Sequence, residues 1–336
     1  MSAIVPPWQE APLAQLMAVH ASGRLPHALL LEGPAGWAKR FFARQLARQL
    51  LALPARDGGG DLWGTESADS DLLAHPDARI IQRTPSPTTG RMRQQITVDQ
   101  IRELGEFLVR TAGGGGARLA IVELAEDLNV NAANALLKRL EEPGARTHLL
   151  LVTAHASRVL PTVRSRCQRV PLPPGDTASA RAWLQGRLPE SAAGDAERLL
   201  ELAGGAPLRA LEFVERGAVE LAREVDAVLA GEAPDKLIGA DQRLEGDVAR
   251  DRAALIMELI WRAVANRARS RAGGVDATAD RGADASMAGA GAQRTLQQFL
   301  DRVTRAQRQL ASGANPNVTL LLEDLLLGAR GLVARN

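Results

Sequence analysis

The stretch His-Ala-Leu-Leu-Leu-Glu-Gly at residues 27–33 runs into Pro-Ala-Gly-Trp-Ala-Lys-Arg and then Phe-Phe-Ala-Arg-Gln-Leu-Ala-Arg-Gln-Leu. An apolar run closed by glycine, followed by helical spacing at Phe42, Leu46 and Leu50, predicts a strand, a glycine loop and a helix. The alternation then repeats. Apolar runs at 78–83, 119–124 and 148–154 read as strands, and 131–142 reads as a helix stopped by Pro143. Thr97 and Gln100 form a capping-box pattern ahead of Val98, Ile101, Leu104 and Leu108, which share one helical face, and Gly113 to Gly116 end that helix. Apolar strands separated by helices describe a parallel sheet covered on both faces. The Gly-, Asp- and Ser-rich stretch from Pro54 to Asp77 reads as a surface loop or insertion.

Beyond Pro171–Asp176 the strand signal stops and the remainder reads as helices, closing with Asn-Pro-Asn-Val-Thr-Leu-Leu-Leu-Glu-Asp-Leu-Leu-Leu. Residues 272–293 are a Gly/Ala/Asp segment too poor in large apolar groups to pack, so a mobile linker between two helices is expected there. With 336 residues the chain exceeds what one core usually serves, and two or three domains are expected.

Several function classes are disfavoured. No run approaches the length of a membrane helix, and the amino terminus lacks a basic segment followed by an apolar one, so a cytoplasmic protein is expected. The single cysteine, Cys167, excludes an internal disulfide framework and a zinc site of several thiolates, and the five histidines are scattered. No metal site is expected. A net charge of +2 and the absence of Tyr argue against strong independent binding of single-stranded nucleic acid.

A phosphate loop needs glycines so that backbone N–H groups can wrap the phosphates, a lysine for the outer phosphates, and a hydroxyl for magnesium. Gly33, Gly36 and Lys39 fit the outline, but Ala38 stands at the second glycine position of the pattern and Arg40 at the hydroxyl. Arg40 has no acceptor for a metal, and a β-carbon at Ala38 narrows the cradle where the backbone often takes positive φ. In ATPases of this kind a buried strand ends in acids for magnesium and for activating water. Here Glu123 remains and is followed by Leu124, which cannot take a proton. The loop therefore reads as a degenerate phosphate loop that does not support hydrolysis and leaves room for weak ATP binding at most.

Three stretches now point to a family: Gly-Arg-Leu-Pro-His-Ala-Leu-Leu-Leu-Glu-Gly-Pro-Ala-Gly at 23–36, Asn-Ala-Ala-Asn-Ala-Leu-Leu-Lys-Arg-Leu-Glu-Glu-Pro at 131–143, and Leu-Pro-Thr-Val-Arg-Ser-Arg-Cys at 160–167. In this order they resemble the clamp-loader branch of the AAA+ superfamily. Within it, the loss of the phosphate loop and acidic pair, together with the closing helix, is most similar to the delta-prime subunits of bacterial DNA polymerase III. The resemblance implies an AAA+ α/β core over 1–168, a helical lid over 169–210 and a helical collar over 211–336 with the insertion at 272–293.

It also implies roles. Ser165-Arg166-Cys167 matches the Ser-Arg-Cys motif, whose arginine reaches the γ-phosphate of ATP held by a neighbouring subunit, so Arg166 is the candidate trans finger. Cys167 has no partner histidine and reads as a buried small hydrophobe. Thr153 falls at a polar sensor position, and with no working ATP site beside it a satisfied structural hydroxyl is expected. The second sensor arginine aligns nearer Leu208 than Arg209. The four-cysteine zinc module of many relatives has no counterpart between Ala52 and Pro76, so no zinc and no cofactor are expected. The implied partners are the delta and tau/gamma subunits in a hetero-oligomer, with the sliding clamp and primed DNA reached through the complex. The chain alone is then not catalytic, although it belongs to a DNA-directed DNA polymerase holoenzyme. Two alternatives stand beside this reading: a free-standing AAA+ ATPase with a divergent loop, and a DNA-binding regulator on an inactive ATPase core.

Overall fold

The computed structural model describes residues 5–54, 70–88, 90, 92–109, 117–234, 237–238, 246–273, 283–311 and 316–334. These form two compact units, Met1–Ala193 with Gly205–Arg209, and Gly194–Gly204 with Ala210–Asn336.

The first unit is built on a parallel sheet of β1 (Ala28–Glu32), β2 (Ala78–Ile81), β3 (Arg118–Val122), β4 (Thr147–Thr153) and β5 (Gln168–Pro171), in the order β2-β3-β4-β1-β5. Alternate residues of a strand face opposite sides of a sheet. Ala28, Leu30, Ala120, Val122, Leu149 and Leu151 enter one core with Ile101 and Leu104 of α4 (Val98–Val109) and Ala132 and Leu136 of α5 (Val130–Glu141). Leu29, Leu31, Leu119, Ile121, Leu150 and Val152 are equally buried on the other face. There α2 (Lys39–Leu50) packs on β1, β3 and β4, with Phe42 and Leu46 fully buried. Burial on both faces is why the central strands are continuous apolar runs rather than alternating ones.

Local signals fix the helix starts. Asn129 caps α5 by accepting from the Ala132 N–H at 2.8 Å. At α4 the Gln100 side chain turns back to accept from the Thr97 N–H at 3.0 Å, one half of the capping box.

The structure adds four elements to the sequence reading. Helix α1 (Pro7–Ala21) precedes the sheet, and α3 (Ser70–Ala74) lies inside the stretch read as a surface loop, with Leu72 fully buried. A single turn, α6 (Pro161–Arg164), leads into the short edge strand β5. The second strand ends at Ile81, two residues earlier than expected, and an isolated Pro85–Met92 bridge follows. Gly113 to Gly116 lie outside the described residues. After β5 comes α7 (Thr177–Gln185), capped by Asp176, which accepts from the Ser179 N–H at 2.8 Å.

Among its described residues the second unit holds helices joined by turns and no strand: α8 (Ala196–Leu202), most of α9 (Pro207–Glu215), α10 (Ala218–Ala230), α11 (Gly246–Gly273), α12 (Ala283–Ala311) and α13 (Val318–Ala334). Its core includes Val225, Leu229, Ile256, Leu259, Ile260, Phe299, Val303, Leu322 and Leu326. A β-carbon at Gly328 would stand 3.1 Å from the Phe299 ring, so glycine there permits close packing of α12 on α13. The expected linker 272–293 overlaps helix at both ends, since α11 runs to Gly273 and α12 begins at Ala283, and residues 274–282 lie outside the described residues.

Leu30→Ala is predicted to lower the unfolding free energy by about 2–5 kcal/mol. Leu320→Ala, on an exposed side chain, is predicted to change it by less than about 0.5 kcal/mol. Urea unfolding of the two variants checks both values.

Candidate functional site

The strand order puts the carboxyl ends of β1 and β4 side by side, Glu32 opposite Thr153, which is where open α/β sheets present ligand crevices. The loop Gly33–Ala38 leaves β1 at this point and delivers the chain into α2. A β-carbon at Gly33 would lie 2.2 Å from the Leu172 carbonyl oxygen, so only glycine fits beside the exit of β5. Gly36 has φ +76°, and a β-carbon there would stand 2.8 Å from Ala206 Cβ and 3.2 Å from Arg209 Cβ. The Leu208 N–H donates to the Gly36 carbonyl at 3.2 Å. Residues 206–209, the segment matched to the second sensor, therefore wall the loop with backbone at Leu208 and with the β-carbon of Arg209 alongside.

Ala38 adopts φ 60° and ψ 25°, the left-handed region anticipated for it, and is buried. An L-residue held there costs about 1–2 kcal/mol. Its β-carbon sits where the phosphate-loop pattern supplies only a hydrogen.

Lys39 folds back onto its own loop. Its Nζ donates to the Pro34 carbonyl at 2.5 Å, and the residue is only 7% exposed. Burial lowers its pKa to about 8, with the Glu126 carboxylate opposing the shift and the Arg40 cation adding to it.

Aromatic packing holds the loop further. Trp8 of α1 meets Trp37 edge-on at 5.3 Å between ring centroids and Trp183 of α7 at 5.6 Å, and the Gln9 side-chain amide donates to the Trp37 carbonyl at 2.7 Å. Three of the chain's five tryptophans thus converge on the loop. Sequence reasoning missed this cluster. The available signal was the concentration of aromatic surface in a chain with 3% aromatic residues, including one tryptophan inside the glycine loop itself.

The acidic end of β3 is equally committed. Glu123 is 1% exposed and accepts from Arg44 Nε at 3.0 Å and Nη2 at 2.7 Å, while Arg40 Nη1 lies 3.7 Å from its other oxygen. Arg40 and Arg44 stand one turn apart on α2, so the residue replacing the hydroxyl and its neighbour on the same face both supply cations to the acid. Leu124 follows in the left-handed region, φ 57° and ψ 58°. Glu126 accepts from the Ala154 N–H at 3.0 Å. Thr153 is fully buried, and its hydroxyl accepts from the His155 N–H at 3.0 Å. Among the described residues no three His, Cys, Asp or Glu side chains gather as metal ligands, and no helix is long and apolar enough to cross a membrane.

Loop, lysine, Glu123 and Thr153 are thus brought together, and Arg166 is not. β5 begins at Gln168, which pairs with Leu29 near the amino end of β1, whereas the loop follows the carboxyl end. Arg166, just before the edge strand β5, therefore sits at the opposite, amino end of the sheet from the loop, anchored by the turn of α6. Its Nε and Nη2 both lie 2.7 Å from Glu141 Oε1, and its Nη1 donates to the Thr162 carbonyl at 3.0 Å and the Ser165 hydroxyl at 3.3 Å. The side chain is 37% exposed. Cys167 beside it is buried in the sheet core, and burial pushes its thiol up to about 11, which leaves it a thiol at neutral pH.

Residues 8–176 match the family model described as DNA polymerase III, delta subunit. The chain is 42% identical over 223 residues to DNA polymerase III subunit delta' of Pseudomonas aeruginosa, a match covering 65% of this chain and 64% of that one, just under two thirds of its length. It is 31% identical to the Escherichia coli subunit delta' over 332 residues, covering 96% of this chain and 94% of the relative. A solved Thermotoga maritima protein, related to the gamma subunit of DNA polymerase III, shares the fold with a TM-score of 0.51 at 18% identity, covering 95% of this chain and 99% of that one.

The buried lysine makes a prediction. Its folded pKa lies below the unfolded value, so the unfolded chain binds more protons between about pH 8 and pH 10.5 and this group's contribution to stability rises with pH across that window. Lys39→Met should remove that rise, seen as a flatter dependence of unfolding free energy on pH between those limits.

Proposed function

This chain belongs to the delta-prime family of DNA polymerase III subunits, and we propose that it serves the clamp loader as a subunit that does not itself hydrolyse ATP and that lends Arg166 to the ATP site of a neighbour. Its partners on this reading are the delta and tau/gamma subunits, with the sliding clamp and primed DNA engaged through the assembled loader.

The observation that carries the first half is the consumption of the phosphate-handling groups by the chain's own contacts. Lys39 is hydrogen-bonded to Pro34, Glu123 is paired with Arg44, and the position of the water-activating acid is Leu124. Phosphoryl transfer depends on positioning and charge stabilisation by such groups. The Arg44 Nε and Nη2 bonds both fall on Glu123 Oε1, and Oε2, which accepts no hydrogen bond among the described residues, has the Arg40 cation 3.7 Å away where a magnesium ion would have to approach. A lysine folded onto the Pro34 carbonyl is turned away from a phosphate.

The second half rests on placement. A planar guanidinium supplied in trans stabilises the charge that develops on a transferring phosphoryl group. Arg166 is part-exposed at the amino end of the sheet, away from the carboxyl end that carries the chain's own loop, on a backbone fixed by the Ser165 N–H to Pro161 carbonyl and Arg166 N–H to Val163 carbonyl bonds at 2.9 and 3.1 Å. So placed, Arg166 does not face the chain's own loop, which supports a role at a neighbour's site rather than its own.

In a loader reconstituted with this chain, Arg166→Ala is predicted to slow clamp- and DNA-stimulated ATP turnover at the site it serves by about tenfold or more. Lys39→Ala should leave turnover within about twofold of wild type. The opposite pattern, loss with Lys39→Ala alone, would make this chain an ATPase in its own right and overturn the reading.

A further inference from the structure

Arg166 carries five N–H donors, and four of them are occupied within its own chain. Nε and Nη2 turn one edge of the guanidinium onto Glu141 Oε1, and Nη1 bonds to the Thr162 carbonyl and the Ser165 hydroxyl. A guanidinium paired with a carboxylate is electrically neutral as a unit. In that state it stabilises added negative charge poorly, and its carboxylate partner repels a phosphate brought up to it.

We propose that Glu141 is a positioning residue that parks Arg166 and competes with the neighbouring subunit's γ-phosphate for the guanidinium. The proposal rests on the trans-finger reading of Arg166 given above and adds a second residue to it.

Three observations point to a releasable contact rather than a structural one. Both side chains are open to water, Arg166 at 37% and Glu141 at 51%, where ion pairs are weak and cheap to exchange. Glu141 is the last residue of α5, and Pro143 lies two residues on, so its carboxylate stands at a helix carboxyl end, where the helix dipole disfavours an anion. Helix stability therefore gives no reason for an acid at this position. The backbone around Arg166 is held by the α6 turn while the side chain carries the pair, so exchange of partners needs only side-chain rotation.

Release follows from charge. A γ-phosphate presents several anionic oxygens in a less hydrated interface, and the guanidinium exchanges one exposed carboxylate for them. Parking then lowers the apparent affinity of the neighbouring site for ATP, because part of the binding free energy is used to displace Glu141.

The test uses the full loader and a double-mutant cycle. Glu141→Gln keeps the shape but replaces the carboxylate with a neutral, weaker acceptor, so the competing charge is removed and the bond to Arg166 Nε is loosened. The predicted result is a KM for ATP in stimulated turnover about two- to fivefold lower, the range set by an exposed ion pair, with kcat little changed. The change should vanish in an Arg166→Ala background and shrink at high salt. Glu141→Asp, which keeps the charge, should restore most of the parked behaviour. In the isolated chain, Glu141→Gln should also speed hydrogen exchange at Arg166 Nε, a readout that needs no nucleotide. A lower kcat in Glu141→Gln, an equal effect with and without Arg166, or unchanged exchange at Arg166 Nε would overturn the proposal. If Arg166→Ala leaves turnover intact, the trans-finger reading fails first and the competition falls with it, whatever the exchange rates show.

Discussion

The buried ion pair between Arg44 and Glu123 is the contact on which the character of this core depends. It joins the middle of α2 to the carboxyl end of β3, at a point where both side chains are almost wholly removed from water. Two charges buried this way are tolerable because they are paired, through two bonds to Glu123 Oε1, although Oε2 accepts no hydrogen bond among the described residues. Removing one partner of such a pair typically costs about 3–5 kcal/mol. On the reading proposed above, an acid at a position where nucleotide sites hold magnesium serves here as a structural tie. Arg40 reinforces the tie from the solvent side of the same helix.

The rest of the loop follows the same logic. Contacts inside the unit hold the loop: Lys39 donates to the Pro34 carbonyl, Leu208 N–H donates to the Gly36 carbonyl, and Trp37 packs on Trp8 while its carbonyl accepts from the Gln9 amide. The glycines are retained for packing reasons that need no ligand. Gly33 is required by the Leu172 carbonyl and Gly36 by the β-carbons of Ala206 and Arg209. The shape of the loop is therefore accounted for by its neighbours in the fold, with or without a nucleotide.

Much of this architecture was legible in the sequence. The strands around Leu30, Ile121 and Leu150 announced themselves as apolar runs because both faces of the sheet are covered, and the Ala38 and Arg40 departures were visible against the pattern a phosphate loop requires. β5 was not legible, since its four residues, Gln168 to Pro171, are mostly exposed at a sheet edge and carry no apolar period. The partner of Glu123 was not legible either. Arg44 lies 79 residues away in the chain, and only the register of β3 against α2 brings them together. The same holds for the tryptophan cluster, assembled from α1, the loop and α7, and for Glu141, whose meeting with Arg166 depends on the short turn of α6.

Whether the contacts of Lys39 and Glu123 replace nucleotide chemistry is decided by the nucleotide itself. Equilibrium binding of magnesium-ATP to the isolated protein, followed by a turnover assay on the same sample, tests it most directly. The account predicts weak or no binding and no release of phosphate above background. Tight magnesium-dependent binding with turnover abolished by Lys39→Ala would contradict it, since Lys39 would then have left Pro34 for a phosphate.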